Sequence, residues 1–229
     1  MAKTDAVQGD CFICGKTAAK TAMKNHVLKE HNSGDELCRL IKAEGAYDKN
    51  YWLLFTAPLD ASLSAVDTFL RKIWCECCGH LSAFSIGGAA YGKTRKISSL
   101  AAGDKLLYEY DFGSTTEILL TVVEDIARQK QRDKICLLAR NEPIAAVCEK
   151  CGAPAAVVNV WDEWELLCDN CAKNVDDDAA LLPVVNSPRC GVCGYEGALD
   201  LWTFDPGRPL PQIPRANSRR GVWVREAEE

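Results

Sequence analysis

The stretch "KLLYEYDFGSTTEILLTVVEDI" (residues 105–126) has the pattern of a β-hairpin and indicates the fold class of the chain. In its first half, apolar and polar residues alternate, which places every second side chain on one face of a strand. The side chains on that face are Leu106, Tyr108, Tyr110 and Phe112. Gly113 predicts a turn, and the apolar-rich run over residues 116–126 predicts the returning strand.

The residues upstream of this hairpin predict a strand, a helix and a second strand. "NYWLLFTAPL" (50–59) has the composition of a strand. "SLSAVDTFLRKIWCECC" (62–78) predicts a helix capped at Ser62 or Ser64, and "LSAFSI" (81–86) predicts the next strand. The resulting order, β-α-β-β-β, predicts an α+β domain in which a helix packs on an antiparallel sheet.

The whole chain is interpreted as three domains, spanning residues 1–34, 35–134 and 135–229. At the start of the second, "SGDELCRLIKAEG" (33–45) predicts a short helix that ends at Gly45. The net charge of −5 provides no general attraction to nucleic acid or to an anionic membrane. No apolar run approaches the roughly 18 residues that a membrane span needs, and the N-terminus lacks the apolar core of a signal peptide. We therefore expect a cytoplasmic protein that does not enter a membrane.

Thirteen cysteines in a chain expected in a reducing compartment indicate metal ligands rather than disulfides. Cys148-x2-Cys151 and Cys168-x2-Cys171 are separated by sixteen residues, a spacing typical of a zinc ribbon. Between them, "AAVVNVW" and "WELLC" predict a hairpin that turns at Asp162-Glu163 and brings the four thiolates together around zinc. So small a module buries too little surface to fold without the metal.

The N-terminal segment contains a second ligand pattern. Cys11-x2-Cys14 is followed by His26-x4-His31, the two-cysteine, two-histidine finger pattern with a central spacer one residue short. A turn would carry the two thiols, and a helix over about residues 18–31 would present both imidazoles on one face. Two zinc ions are therefore expected, one in the finger and one in the ribbon.

A third Cys-x-x-Cys pair, Cys190 and Cys193, lacks an obvious partner pair. It has ribbon spacing to Cys168 and Cys171, so one alternative is an exchange of ligands with the ribbon. The other alternative is a distant pair from "IWCECCGH" (73–80), a segment that contains Cys75, Cys77, Cys78 and His80. In a continuous helix, Cys75 and Cys78 would share one face. In that case a third zinc would join the C-terminal region to the main domain.

Two motifs resemble those of nucleotide-handling enzymes. "GGAAYGKT" (87–94) fits the phosphate-binding loop pattern, but that loop functions only between a strand and a long helix. The residues that follow, "RKISSLAAGD" (95–104), leave room for barely two helical turns. "DFG" (111–113) is interpreted as a turn, since no catalytic-loop pattern accompanies it.

Residues 51–126 resemble the plasmid pRiA open-reading-frame-three-like family, whose members are often labelled transposon-passenger TnpR proteins. The resemblance is carried by "YWLLFTAPL", "IWCECCGHLSAFSI" and "LLYEYDFGSTTEILLTVVEDI". In the family, acidic residues and tryptophan often follow the glycine, whereas this chain has Ser114, Thr115 and Thr116. The resemblance implies a compact α+β domain and no particular activity.

These patterns predict a zinc-binding, non-enzymatic adaptor that contacts a macromolecule and has no small-molecule substrate. Basic clusters at 92–96 and 128–134 and the arginines of the Pro/Arg-rich tail would suit RNA or DNA. The acidic ribbon tip, Asp162-Glu163-x-Glu165, disfavours contact with phosphates, so a protein partner is at least equally expected. The alternative is a nucleotide-binding or hydrolytic enzyme that uses the glycine loop at 87–94.

Overall fold

The computed structural model describes residues 7–130, 135–176 and 179–198, and its regular elements are mainly β-strands. The strands are β1 (Gln8–Cys11), β2 (Thr17–Ala19), β3 (Glu36–Gly45), β4 (Trp52–Pro58), β5 (Ser82–Ile86), β6 (Ala89–Ala90), β7 (Lys105–Tyr110), β8 (Thr116–Arg128), β9 (Cys136–Asn141), β10 (Val157–Asn159), β11 (Glu165–Leu167) and β12 (Leu181–Pro183). The α-helices are α1 (Lys20–Glu30), α2 (Leu63–Leu70) and α3 (Asp169–Ala172). A π-helical turn, Arg71–Cys75, extends α2, and a single 3₁₀ turn spans Ile97–Ser99.

Nine strands form one sheet in the order β2-β1-β9-β4-β3-β8-β7-β5-β6, with every neighbouring pair antiparallel. The predicted hairpin is confirmed, because β7 pairs with β8 in a register that sets Tyr108 opposite Ile118. Phe112 departs from the predicted face and is 57% exposed, because β7 ends at Tyr110 and Asp111 turns the chain with a φ of 65°. The predicted antiparallel sheet with a packed helix is present, and the sheet is larger than expected.

The prediction of a helix over 33–45 is wrong, because β3 occupies this segment at the centre of the sheet. Its neighbours are β4 and β8, and it is buried on both faces, so apolar and polar residues do not alternate cleanly. A register shift between Leu40 and Ile41 further disturbs the period-two pattern. Because β3 is covered on both faces and contains a bulge, its apolar residues are spaced like those of a helix.

Two cores lie on opposite faces of the sheet. Along β4, Leu53 belongs to one core and Leu54 to the other, as expected where side chains alternate across a strand. The first core contains Leu70 of α2, and the second contains Met23 and Val27 of α1. Helix α1 thus packs on the sheet itself and does not form a small separate core.

The sheet also crosses the domain boundaries proposed at 34/35 and 134/135. Strand β1 sets Cys11 opposite Ala139 of β9, and β9 pairs in turn with β4. The cysteine-bearing turn of the N-terminal segment is therefore continuous with the main sheet. Strands β10, β11 and β12 form a separate three-stranded sheet, ordered β11-β10-β12.

A buried carboxylate, Asp67 of α2, links the helix to the sheet. It accepts hydrogen bonds from the Tyr108 hydroxyl (2.8 Å) and the Ser82 hydroxyl (2.6 Å). It also pairs with Arg71 (3.3 Å) and Lys93 (3.2 Å). Burial alone would raise the pKa of Asp67, but these hydrogen bonds and cations outweigh burial and lower it.

Arg71 connects Asp67 to residues 76–80 through hydrogen bonds and ion pairs. Its guanidinium donates to Glu76 Oε2 (2.9 Å), to the His80 carbonyl oxygen (2.6 Å) and to Ser82 Oγ (2.9 Å). Glu76 Oε1 in turn accepts from the backbone N–H of Gly79 (2.6 Å). The loop after the π-helical turn is therefore held in one conformation by charge-assisted hydrogen bonds.

Replacing Asp67 with alanine is expected to lower the free energy of unfolding by about 3–5 kcal/mol, because two cations and two hydroxyls lose a buried acceptor. Denaturant unfolding followed by circular dichroism measures the change. Asp60→Ala is the matched control, since Asp60 is an exposed aspartate seven positions earlier, and its effect should stay within about 0.5 kcal/mol. Equal effects of the two substitutions would contradict the assigned role of Asp67.

The lowered pKa of Asp67 also predicts a pH dependence. Its carboxylate stabilises the fold above the unfolded pKa of about 3.9, and this contribution is lost as pH falls through the lower pKa of the folded state. The stability difference between the wild type and Asp67→Asn should therefore shrink between about pH 6 and about pH 2. Parallel denaturant titrations of the two proteins measure this stability difference. A difference that grows as pH falls would mean that the fold raises the pKa of Asp67, contrary to the prediction.

Candidate metal centres

Three groups of cysteine and histidine side chains have the geometry to hold a metal ion. They are the finger cluster (Cys11, Cys14, His26, His31), the third cluster (Cys77, Cys78, His80, Cys193) and the ribbon cluster (Cys148, Cys151, Cys168, Cys171). Within each cluster, the four ligand atoms lie within 4.8 Å of one another. A tetrahedral zinc site with ordinary bond lengths separates two sulfurs by ~3.8 Å, sulfur and nitrogen by ~3.5 Å, and two nitrogens by ~3.3 Å.

The finger cluster brings together the four ligands predicted from the N-terminal pattern. Cys11 ends β1, and Gly15 with a φ of 75° allows the tight turn that carries Cys14. His26 lies in α1, and His31 follows directly after the last residue of this helix. Cys11 Sγ lies 3.5 Å from His31 Nε2, Cys14 Sγ lies 3.2 Å from His26 Nε2, and the two Nε2 atoms are 3.1 Å apart. These separations are close to those of a tetrahedral site.

Burial favours the metal-binding form of the two imidazoles. It is the main reason that the pKa values of His26 and His31 are lowered, which keeps both rings neutral near pH 7. A neutral imidazole is the form that coordinates a metal. The electrostatic environment of the finger cluster thus supports ligation through the two Nε2 atoms.

The ribbon cluster joins two knuckles through the predicted hairpin. Strands β10 and β11 pair with Val157 opposite Leu167, and the N–H of Glu165 donates to the Asp162 carbonyl oxygen (2.8 Å) across the turn. Cys151 Sγ and Cys168 Sγ are 3.6 Å apart, as expected for two ligands of one ion. Strand β12, which the sequence pattern did not predict, adds a third strand beside β10.

The pKa values of the thiols in the ribbon cluster differ strongly from one another. Backbone N–H groups, chiefly that of Cys168, lower the pKa of Cys148 to about 6. Hydrogen bonding with the other sulfurs, first of all with Cys151, raises the pKa of Cys171 to about 12. Sulfurs packed this closely can all be thiolates only when a cation compensates their charge.

The third cluster uses only some of the residues proposed for it. Cys78 Sγ lies 3.6 Å from Cys77 Sγ and 3.7 Å from Cys193 Sγ, and His80 Nε2 lies 2.9 Å and 3.2 Å from Cys78 and Cys193. The ligands thus come from the loop after the π-helical turn and from one cysteine of the last knuckle. Adjacent cysteines are not a standard ligand spacing, so the sequence pattern did not single out this set.

Cys75 and Cys190 lie outside the third cluster. Cys75 ends the π-helical turn with its side chain in the core, where burial raises the pKa of its thiol. The chain is extended at Glu76, so the helix does not continue to Cys78. Cys75 and Cys78 therefore do not share the helix face that a continuous helix would give them. Cys190 Sγ instead accepts a hydrogen bond from the Val185 N–H (3.4 Å), and no ligand exchange with the ribbon is seen.

The glycine loop at 87–94 does not have the surroundings of a phosphate-binding loop. Gly87 and Gly88 adopt left-handed φ values of 57° and 81° in the turn between β5 and β6. The next helical residues form only the 3₁₀ turn Ile97–Ser99, which is too short to present a helix N-terminus to phosphates. Lys93 is directed inward, where its ammonium donates to Ser82 Oγ (2.6 Å).

The "DFG" motif forms a turn, as predicted. The Asp111 carboxylate accepts hydrogen bonds from the backbone N–H groups of Gly113 (3.0 Å) and Ser114 (3.3 Å). Two other predictions fall partly or wholly outside the described residues. Of the basic cluster at 128–134, residues 131–134 lie outside the described residues. The Pro/Arg-rich tail lies within 199–229, which are also outside them.

Comparison with solved structures includes one match of low sequence identity. A crystal structure of a protein of unknown function from Methanosarcina mazei Go1 is similar with a TM-score of 0.41 and 18% identity, over 52% of this chain and 75% of that one. No family model matches the sequence, and no curated protein matches it. The resemblance to the plasmid family therefore stays a prediction. Within the described ranges, no helix has the length and apolar character needed to cross a membrane.

Proposed function

We propose that the protein is a zinc-binding, non-enzymatic adaptor that uses metal-supported modules to contact a macromolecular partner. The observation that carries the proposal is the presence of four-ligand sets built only from thiols and imidazoles. Thiolate and imidazole donors in a tetrahedral arrangement favour zinc over magnesium or calcium, which prefer oxygen. Sets of four protein ligands leave no open position for substrate, which is typical of structural rather than catalytic zinc.

The exposed surfaces of the modules favour a protein partner over nucleic acid. The exposed positions of α1 are Thr21, Ala22, Asn25, Lys29 and Glu30. The basic side chain among them, Lys29, pairs with Glu30 (3.3 Å), so these positions offer no net positive charge to phosphates. At the ribbon tip, Trp161 is 70% exposed beside the acidic Asp162. An aromatic side chain with neighbouring carboxylates suits a basic or amide-rich protein surface and repels a phosphate backbone.

Elemental analysis of natively purified, full-length protein tests the metal part of the proposal. We expect at least two zinc ions per chain, with no stoichiometric magnesium, calcium or nucleotide. Protein that retains no tightly bound transition metal, or that carries one ATP or GTP per chain, would contradict it.

Binding assays test the choice of partner class. Mixed DNA and RNA oligonucleotides are expected to give no specific gel shift at about 150 mM salt, whereas nucleic-acid binding would appear as a complex that weakens steeply as salt rises. A salt-sensitive complex with either nucleic acid would overturn the preference for a protein partner. It would leave the zinc assignment intact.

A further inference from the structure

The third cluster connects parts of the chain that are far apart in sequence. Cys77, Cys78 and His80 follow α2, whereas Cys193 lies 115 positions after Cys78. The finger and ribbon clusters, in contrast, each draw their ligands from one short segment. An ion in the third cluster would therefore close a long loop, which constrains the unfolded chain more than an ion within a short segment does.

An outer shell of hydrogen bonds already orients the ligands of this cluster. Asp111 Oδ1 lies 3.4 Å from His80 Nδ1, the ring nitrogen opposite the proposed ligand atom. A carboxylate at this position selects the tautomer that leaves Nε2 free and is a common companion of metal-bound histidine. The left-handed turn at Asp111 thus directs its carboxylate toward the cluster.

Arg189 completes this shell with a fully buried charge. Its guanidinium donates to Asp111 Oδ2 (2.7 Å), to Thr116 Oγ1 (2.9 Å) and toward Cys77 Sγ (3.5 Å). The buried positive charge of Arg189 would offset part of the negative charge that three thiolate ligands bring to a bound ion. Arg189 precedes Cys193 by four residues, so the segment that supplies the distant ligand also supplies the compensating charge.

The same C-terminal segment is bound to the sheet domain around the cluster. The Ser187 hydroxyl donates to the Trp74 carbonyl oxygen (2.7 Å), and the Tyr195 hydroxyl donates to that of Ile73 (3.4 Å). Both side chains are about 1% exposed. The segment is therefore held in position on both sides of Cys193, which pre-organises this ligand for a metal.

Trp164 of the ribbon contacts this segment. The indole N–H of Trp164 donates to the Gly191 carbonyl oxygen (2.9 Å). A β-carbon at Gly191 would lie 2.9 Å from Trp164 Cδ1, so only glycine allows this approach. Glu163 and Trp164 adopt left-handed φ values of 50° and 60°, which cost free energy and place the indole on the knuckle.

We propose that Cys77, Cys78, His80 and Cys193 bind one zinc ion that fastens residues 186–195, and through Trp164 the ribbon, to the nine-stranded sheet. The proposal rests on the proposed zinc-binding function and adds a distinct role for the third site. The finger and ribbon ions hold local structure, whereas this ion fixes the position of one module on another. The ribbon would then present its tip to a partner in a fixed orientation.

Metal counting on full-length variants tests the site. Wild-type protein should hold three zinc ions, and Cys193→Ser and Cys78→Ser should each hold two. Both thiols are exposed, so serine leaves no buried cavity at either position. Cys190→Ser is the matched control from the same knuckle and should hold three. Two ions in the wild type, or three in both exposed-thiol variants, would overturn this proposal and leave the proposed function standing, whereas no zinc in the wild type would overturn both.

Hydrogen exchange tests the fastening role. In Cys193→Ser, amides of 186–195 and of the ribbon (147–175) should exchange at least about tenfold faster, whereas those of α1 should be unchanged. Cys190→Ser should keep wild-type rates. The wild type provides a second measurement if a variant fails to fold, because a chelator that removes one ion first should produce the same local pattern. Unchanged ribbon exchange after loss of the third ion would contradict the fastening role.

Discussion

Cys168→Ser is expected to unfold the ribbon (147–175) while the nine-stranded sheet stays folded. The buried apolar cluster of this module consists of Cys148, Leu167 and Cys168, two of which are proposed ligands, and a few partly buried side chains such as Val157 pack against it. Structural zinc supplies on the order of 10–16 kcal/mol of apparent binding free energy in small modules, far more than such a core contributes. Loss of one ligand therefore removes the main source of stability in this part of the chain.

Backbone amide NMR or hydrogen exchange, combined with a zinc count, measures this outcome. The variant should lose one ion, and the amides of 147–175 should lose nearly all protection. Cys136→Ser is the control, since Cys136 belongs to none of the three clusters. A ribbon that keeps its protection without its ion would show that packing alone suffices, and the metal-dependent interpretation would be wrong.

Cys14→Ser is expected to have a different effect, because the finger shares its core with the sheet. Met23 and Val27 of α1 are fully buried in the second core beside Leu54 and Trp52. This helix should stay folded without metal, while the free energy of unfolding of the sheet domain falls. A site saturated at about a thousandfold above its dissociation constant contributes about 4 kcal/mol, which is the expected size of the loss.

Denaturant unfolding with a parallel zinc count measures this loss, and α1 amides report on the helix. Cys14 is exposed, so serine replaces it without opening a cavity. The variant should hold one ion fewer than Cys136→Ser and unfold in one transition with the sheet. Complete melting of α1 with unchanged sheet stability would instead show that the finger is an independent module.

The ligand spacings predict the metal ligands, but they do not predict why Cys168→Ser and Cys14→Ser should have different effects. The spacings of Cys148 to Cys171 and of Cys11 to His31 identify both ligand sets, because each set is drawn from one short segment of the chain. Neither pattern indicated that β1 pairs with β9 and extends the main sheet. Whether a module stands alone depends on pairing with distant strands, which local patterns do not record.

For the third cluster, the sequence pattern does not decide even which cysteines come together. The sequence indicates the segment 73–80 and the last knuckle as ligand sources, but it does not exclude Cys75 and Cys190 or single out Cys77. The end of the helix at Cys75 and the extended backbone at Glu76 decide which thiols face outward. The roles of Asp111 and Arg189 have no signal in the sequence, since Asp111 contacts His80 across 31 residues and Arg189 contacts Asp111 across 78.

By itself, the amino-acid sequence determined the β7–β8 hairpin, the succession of β4, α2, β5, β7 and β8 without the short β6, and two of the three cysteine and histidine clusters. Each of these depends on side-chain alternation or on spacing within a short segment, and such local preferences are set by neighbouring residues. Only the tertiary structure decided that 36–45 is a central strand, that the finger belongs to the sheet, and that Cys193 meets His80. These features depend on which distant surfaces bury one another, and burial is decided by the whole fold.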